Sequence, residues 1–155
     1  MRQMQNMKSK ALGIENFKNF TWALDFPHVI ENGNFVGFDV VIGNPPYGVK
    51  INEDLKKYYQ VSYVSSKTIP NVQKGSLDTF VLFTERGFNI LKKNGNLMFI
   101  LPLSFISSDA VTGLHNLLEK NCCEIKVCSF AVRPQPIFEN AVVDVSILFV
   151  NYSIL

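Results

Sequence analysis

The segment at 38–43, Phe-Asp-Val-Val-Ile-Gly, limits the possible fold more than any other part of this sequence. Apart from Asp39 it is an unbroken apolar run rich in β-branched residues, which is typical of a strand buried on both faces of a parallel sheet. It stops at Asn44-Pro45-Pro46, because two prolines remove ladder donors and force the chain out of the sheet. The sequence therefore predicts a rigid turn at the carboxyl end of a central strand, and open α/β sheets bind ligands at that edge.

A helix and a second buried strand are predicted after this turn. Ser76 is a plausible N-cap, and the inward face is expected to consist of Phe80, Phe83, Gly87, Phe88 and Leu91. Lys92 to Gly95 resembles the cationic last turn and C-cap of that helix, and residues 97–103 form the strand. Strand, helix and strand in this order predict a parallel crossover unit.

The remaining sequence predicts a further helix and two antiparallel strands. Ser107 or Ser108 begins a helix that runs to Lys120. Residues 124–130 alternate as a strand with Ile125 and Val127 on one face, and residues 142–150 form the last strand. Between the Pro-Pro turn and the first helix, residues 48–75 are expected to form a mobile excursion over the site edge, with one short helix at 52–59.

Composition bounds the class of protein. With 155 residues, 47% hydrophobic and 18% charged, the chain fits one packed domain. A net charge of +2 is too small for a nucleic-acid coat, so any such contact must come from a local site. The apolar runs are far shorter than the roughly 20 residues of a membrane-spanning helix, and the N-terminus does not resemble a signal peptide. A cytoplasmic location is therefore expected.

The cysteines and histidines do not suggest a metal site. Cys122, Cys123 and Cys128 are odd in number and have no partners at zinc-finger spacing, so we expect small buried hydrophobic side chains. His28 and His115 are far from each other in sequence and from any Ser or Cys motif. No metal is predicted.

The order of motifs between Trp22 and Val150 resembles the gamma-class (type IIG, Taq-like) DNA adenine-N6 methyltransferases. The resemblance lies in an aromatic lead-in at 22–27, the strand followed by Asn-Pro-Pro-Tyr at 44–47, a helix that starts near Leu77, a turn and strand at 94–102, and an aromatic loop at Ile137-Phe138 before a final apolar strand. It implies a partial Rossmann-like α/β sheet, with two parallel strands and an antiparallel terminal pair, that lacks the N-terminal cofactor-binding half.

The resemblance also implies the roles of the motif residues. Asn44, Pro45, Pro46 and Tyr47 would be catalytic: the Asn44 carboxamide oxygen and the Pro45 carbonyl would each accept one hydrogen of the adenine amine. The target base must be flipped out of double-stranded DNA, and Tyr47 and Phe138 would pack against it. Phe138 could equally be a plain loop anchor.

S-adenosyl-L-methionine is the implied cofactor. Phe83 would lie near its adenine ring, while Asn44 and Pro46 would contact its methionine end; an apolar helical position such as Phe83 is also often plain core. The family's glycine-rich loop and the acidic residues that hold the cofactor would lie N-terminal to this sequence. We therefore expect residues 1–37 to be a lead-in and 38–155 the C-terminal half of a catalytic domain, with an upstream segment or separate chain supplying the cofactor-binding half and a target-recognition domain.

Three readings of function remain open. The first is site-specific DNA adenine methylation in a restriction-modification system, by a truncated or split enzyme. The second is methylation of glutamine side chains in protein factors or of guanine amines in RNA, because those enzymes have a similar four-residue turn. The third is an inactive remnant that only binds. Five cations are candidates for phosphate contacts, although scattered cations are also typical of ordinary surface: Lys56, Lys57, Lys67, Lys74 and Arg133.

Overall fold

The computed structural model describes residues 22–131 and 143–153. Within them the elements are helix α1 (Trp22–Asp25), a 3₁₀ turn (Pro27–Val29), strands β1 (Ile30–Glu31), β2 (Asn34–Phe35) and β3 (Phe38–Gly43), helices α2 (Glu53–Ser62) and α3 (Thr79–Asn89), strand β4 (Leu91–Pro102), helix α4 (Ser104–Ser107), a 3₁₀ turn (Asp109–Val111), helix α5 (Thr112–Asn121), and strands β5 (Cys122–Phe130) and β6 (Val145–Tyr152). In this part of the chain no helix is long and apolar enough to cross a membrane.

Four strands form the main sheet in the order β3-β4-β6-β5. β3 and β4 are parallel, while β6 is antiparallel to both β4 and β5. The predicted partial α/β sheet, with a parallel crossover and an antiparallel terminal pair, is therefore confirmed. The two strands β1 and β2 form a separate small hairpin.

The core lies on one face of the main sheet, under helices α3 and α5. Leu97, Leu101, Leu148 and Val150 are fully buried there and belong to the same cluster as apolar side chains of both helices. Gly87 allows α3 to approach closely, because a Cβ at this position would lie 2.8 Å from Leu97 Cδ1. This packing fixes the start of α3 beside the carboxyl end of β3.

The other face of the sheet is open within the described residues. Val41 is paired with the buried Leu97, so the alternate side chains of β3 point away from the core. Val40 and Ile42 are accordingly 60% and 73% exposed. β3 is also the end strand of the described sheet, with β4 as its one strand partner.

Helix α3 is shorter than predicted at both ends. Its N-cap is Asp78 rather than Ser76, because the Asp78 carboxylate accepts the Phe80 N–H at 3.2 Å. The helix ends at Asn89, so the expected C-cap at Asn94-Gly95 is wrong. The register with β3 jumps from Phe38↔Leu91 to Val40↔Asn96, and residues 92–95 form an extended bulge at the start of β4.

The predicted strand at 124–130 is present as β5. It is an end strand of the described sheet, and all of its residues after Cys122 are exposed. The predicted burial of the cysteines is wrong for Cys123 and Cys128, which lie on this strand and are exposed; only Cys122 is buried. Alternation in sequence indicates a strand but cannot say whether another layer covers it.

The predicted helices around the site are confirmed, with more order between them than expected. Asn52 caps α2 by accepting the Leu55 N–H, and Ser108 caps the turn that leads into α5. The following loop is held by Glu85, which accepts the N–H groups of Val64 and Ser65 at 2.8 and 2.7 Å. The irregular composition of residues 48–75 gave no sign of this anchoring.

Candidate active site

The Asn44 to Tyr47 turn lies where β3 ends. The last paired residue of β3 is Gly43, opposite Phe99, so the turn leaves the sheet at the carboxyl end of a parallel strand, as predicted. Asn44 and Pro46 are exposed, Pro45 is buried and Tyr47 is half-buried. The two exposed residues can therefore reach a ligand, while Pro45 and Tyr47 hold the turn against the protein.

Tyr47 ties the turn to the sheet. Its hydroxyl lies 2.9 Å from Asn44 Oδ1 and 2.9 Å from the Ile100 carbonyl oxygen. Its ring packs edge-on against Phe80 of α3, with 6.4 Å between the ring centroids. Burial raises the pKa of the Tyr47 hydroxyl above its ordinary value of 10.0, so this group is protonated at neutral pH.

Two further residues at the start of α3 also hold this turn. The Thr79 hydroxyl donates to the Pro46 carbonyl at 2.7 Å and accepts the Val49 N–H at 3.4 Å. The Asp78 carboxylate accepts the Gly48 N–H at 3.1 Å while it caps the helix. Among the described residues nothing donates a hydrogen bond to the Pro45 carbonyl. The Pro46 carbonyl is therefore engaged, whereas the carbonyl of the buried Pro45 has no donor in the described part of the chain.

Asp78 and Thr79 are site residues that were not predicted from the sequence. A usable signal was present, because Asp followed by Thr just before an apolar helical run is typical of an N-cap. That signal places both residues at a helix start. It does not show that this helix start faces residues some thirty positions earlier in the chain.

Phe83 lies in a pocket rather than in the core. The predicted inward stripe of α3 included it, yet its side chain is 51% exposed. It lines a cavity of about 490 Å³ between α2 and α3, together with Tyr59, Tyr63, Thr79 and Arg86. Thr79 also contacts the turn, so the pocket and the Asn44 to Tyr47 turn are neighbours. A cavity of this size is in the usual range for small-molecule sites.

The other predicted contacts are dispersed. Phe138 and Arg133 lie outside the described residues. Lys56 pairs with Glu53 at 2.6 Å and Lys74 pairs with Asp109 at 3.1 Å, while Lys57 and Lys67 are exposed. Two of these four lysines therefore already have carboxylate partners.

The model of the Eco57I restriction-modification methylase family matches residues 1–138 of this chain. The chain belongs to that family. It is 31% identical over 138 residues to a protein of Methanocaldococcus jannaschii assigned as a type II restriction enzyme and methyltransferase, RM.MjaORFECS2P; the match covers 89% of the chain and 10% of that protein. It is 34% identical over 119 residues to the type II restriction enzyme and methyltransferase RM.Eco57I of Escherichia coli; this match covers 74% of the chain and 11% of that protein. The Eco57I-family chain thus spans about a tenth of the length of these relatives.

Solved structures share the fold of this Eco57I-family chain. One is a protein of Listeria monocytogenes assigned to the class I S-adenosylmethionine-dependent methyltransferases, with a TM-score of 0.56, 20% identity, and coverage of 76% of this chain and 32% of that one. Another is the ATP-dependent Type ISP restriction-modification enzyme LlaBIII bound to DNA, with a TM-score of 0.55, 21% identity, and coverage of 76% and 9%. The sheet described above is therefore part of a methyltransferase fold.

Proposed function

We propose that this chain carries the target-base side of a DNA adenine methyltransferase, which transfers a methyl group from S-adenosylmethionine to the exocyclic amine of a flipped adenine. The observation that carries the proposal is the Asn44 to Tyr47 turn. It lies at the carboxyl end of β3, is held by Tyr47 and Thr79, and exposes Asn44 next to the Pro45 carbonyl, which has no donor among the described residues. Membership of a restriction-modification methylase family supports the reaction class.

Two acceptors held in place fit the chemistry of an adenine amine. The lone pair of this nitrogen is delocalised into the ring, so the amine is a weak nucleophile. The Asn44 carboxamide oxygen and the Pro45 carbonyl accept its two hydrogens, draw the nitrogen toward tetrahedral geometry and stabilise the positive charge that develops on it. Alignment and preorganised acceptors together can lower such a barrier by on the order of 10 kcal/mol.

Tyr47 and Phe138 would replace the stacking that the base loses when it is flipped from the duplex. Base-aromatic stacking is worth about 1–3 kcal/mol per base, which offsets part of an unstacking cost of a few kcal/mol. Tyr47 is half-buried, so the described residues do not enclose it fully. Double-stranded DNA is the proposed substrate, and restriction-modification enzymes of the same fold whose structures contain DNA or a DNA substrate mimic support it.

The residues present fit one side of a nucleoside cofactor. The exposed Phe83 ring lines the cavity between α2 and α3, next to Thr79 and the turn. We assign the adenine ring of S-adenosylmethionine to Phe83 and its methionine end to Asn44 and Pro46. When bound, the cofactor supplies an electrophilic methyl group. The chain's own residues orient the acceptor amine and shield it from water.

The open side of β3 supports a partner that completes the sheet. Val40 and Ile42 are exposed apolar side chains on an end strand, and such strands bind further strands. We propose that a further segment or a separate chain pairs with β3 and supplies the rest of the cofactor site and the target-recognition domain. The division of the chain into a lead-in at 1–37 and a catalytic half at 38–155 is part of this proposal.

The test is transfer of a tritiated methyl group to adenine-containing duplex DNA. The chain is assayed alone and with the protein encoded immediately upstream. We expect transfer in at least one of these assays and its loss in Asn44→Ala. Asn89→Ala, an exposed asparagine at the far end of α3, is the matched control and should retain transfer. Transfer to an RNA guanine or to a glutamine side chain in place of DNA would contradict the proposal. So would the absence of any transfer in both assays.

A further inference from the structure

The Tyr47 hydroxyl faces two oxygen atoms but has only one proton to donate. Asn44 Oδ1 and the Ile100 carbonyl oxygen both lie 2.9 Å away. We propose that Tyr47 is a positioning residue that donates to Ile100 and accepts a hydrogen bond from the Asn44 side-chain NH₂. This relay turns the Asn44 oxygen toward the ligand and makes the site select a base that bears an amine. The inference rests on the proposed function and deepens it.

The carbonyl of Ile100 decides where the hydroxyl proton goes. β3 stops at Gly43, opposite Phe99, so Ile100 lies one residue beyond the last β3–β4 pair, while it still pairs with Ile147 of β6. A carbonyl oxygen can only accept, and the Tyr47 hydroxyl supplies a donor to it at this half-buried position. If the proton pointed at Asn44 instead, the hydroxyl and carbonyl oxygens would face each other with lone pairs at 2.9 Å.

The Asn44 carboxamide can form a hydrogen bond with the Tyr47 hydroxyl oxygen only through its nitrogen. The two ends of a carboxamide have the same shape, so their assignment follows from the hydrogen-bond network. With its proton on Ile100, the Tyr47 hydroxyl offers only lone pairs to Asn44, and the matching partner is Nδ2–H. The contact then becomes favourable, and Oδ1 occupies the outer position of an exposed side chain.

The outward position of Asn44 Oδ1 makes the site prefer a base that bears an amine. Asn44 Oδ1 and the Pro45 carbonyl are two acceptors, and they match the two hydrogens of an exocyclic amine. A keto group at the same position would face two acceptors and leave them unpaired, which is strongly unfavourable in a desolvated site. Burial raises the pKa of Tyr47, so the hydroxyl keeps its proton and the relay is intact at neutral pH.

The orientation can be tested directly by NMR on the full chain with ¹⁵N-labelled asparagine. We expect one Asn44 Hδ2 proton to show a nuclear Overhauser effect to the Tyr47 ring Hε protons, and to lose it and become solvent-like in Tyr47→Phe. Tyr152→Phe, a half-buried tyrosine at the end of β6, is the control and should leave the Asn44 signals in place. A wild-type Asn44 amide with no contact to Tyr47, or with signals unchanged in Tyr47→Phe, overturns the relay.

Selectivity gives a second, functional test. Two duplexes compete as substrates for whichever protein preparation shows transfer, the chain alone or the chain with its upstream partner. One has adenine at the target position, which bears an amine, and the other has hypoxanthine, which bears a keto group in its place. Tyr47→Phe keeps the ring, so we expect the preference for adenine to fall about tenfold, as for the loss of one oriented hydrogen bond. An unchanged preference overturns the proposal. If neither the chain alone nor the chain with its upstream partner transfers methyl groups, the proposed function fails, and the NMR experiment still decides the relay. If Asn44→Ala abolishes transfer but the Overhauser effect is absent, only the relay fails.

Discussion

The Thr79 hydroxyl donates a 2.7 Å hydrogen bond to the Pro46 carbonyl, across thirty-three positions of sequence. Helix α3 therefore holds the turn that bears Asn44 through Thr79 as well as through the Tyr47–Phe80 ring contact. Thr79→Val removes this donor without a large change in volume. We expect the rate of methyl transfer to fall about tenfold and the free energy of unfolding to fall by about 1 kcal/mol. Thr79→Ser, which restores the hydroxyl, should recover most of the rate.

Thr84→Val is the matched control for this prediction. Thr84 is also buried on α3 and donates to a carbonyl, that of Phe80, but it does not contact the turn. Its loss should reduce stability by a similar amount and leave the transfer rate of the folded protein unchanged. Equal rate losses in the two valine variants would contradict a specific role for Thr79. The transfer rate is measured by tritium transfer, and the free energy of unfolding is measured by urea unfolding.

Gly87 sets the distance between α3 and β4. A Cβ there would lie 2.8 Å from Leu97 Cδ1 and 2.9 Å from Phe99 Cζ, and both of these side chains are buried. Gly87→Ala gains about 1 kcal/mol in helix propensity but costs about 2 kcal/mol by overpacking, so we expect a net loss. The melting temperature should fall by about 4 °C. Calorimetry that shows an increase would mean that the interface has room for a methyl group.

Glu85 is a buried carboxylate that anchors the loop after α2. Its side chain is 2% exposed, and each oxygen accepts one backbone N–H, from Val64 and Ser65. Glu85→Gln replaces one acceptor with a donor that faces an N–H group. We expect a loss of about 1–3 kcal/mol in unfolding free energy and faster amide hydrogen exchange at Val64 or Ser65. Unchanged exchange at both amides would contradict this anchoring role.

The three cysteines should differ in reactivity. Burial raises the pKa of Cys122 from 9.0 to about 11, whereas Cys123 and Cys128 are exposed. Iodoacetamide at pH 8 should therefore label Cys123 and Cys128 first and Cys122 only after unfolding, as read by mass spectrometry. The folded state holds the Cys122 proton more tightly than the unfolded chain does. Its contribution to stability is thus full below pH 9 and is lost as the pH rises from 9 to about 11. Early labelling of Cys122 would contradict its burial.

The main elements followed from local patterns because their causes are local. The apolar run at 38–43 and the prolines after it required a strand and a turn, and Asn52 and Ser108 marked helical starts where the structure has them. The placement of Asn44 at the carboxyl end of a parallel strand followed from the same patterns. The prediction failed where burial depends on neighbouring elements. Burial was expected for all three cysteines, but Cys123 and Cys128 lie on β5, an end strand of the described sheet, and are exposed.

The sequence by itself determined the sheet, its crossover and the position of the turn, because chain stiffness and hydrophobic periodicity act over a few residues. Only the tertiary structure decided which groups hold that turn. Thr79 and Ile100 meet it because α3 and β4 pack beside β3, and Phe83 faces a pocket because α2 folds back over α3. Such contacts depend on how distant segments share one core, and a hydrogen bond between distant residues leaves no periodic trace in sequence.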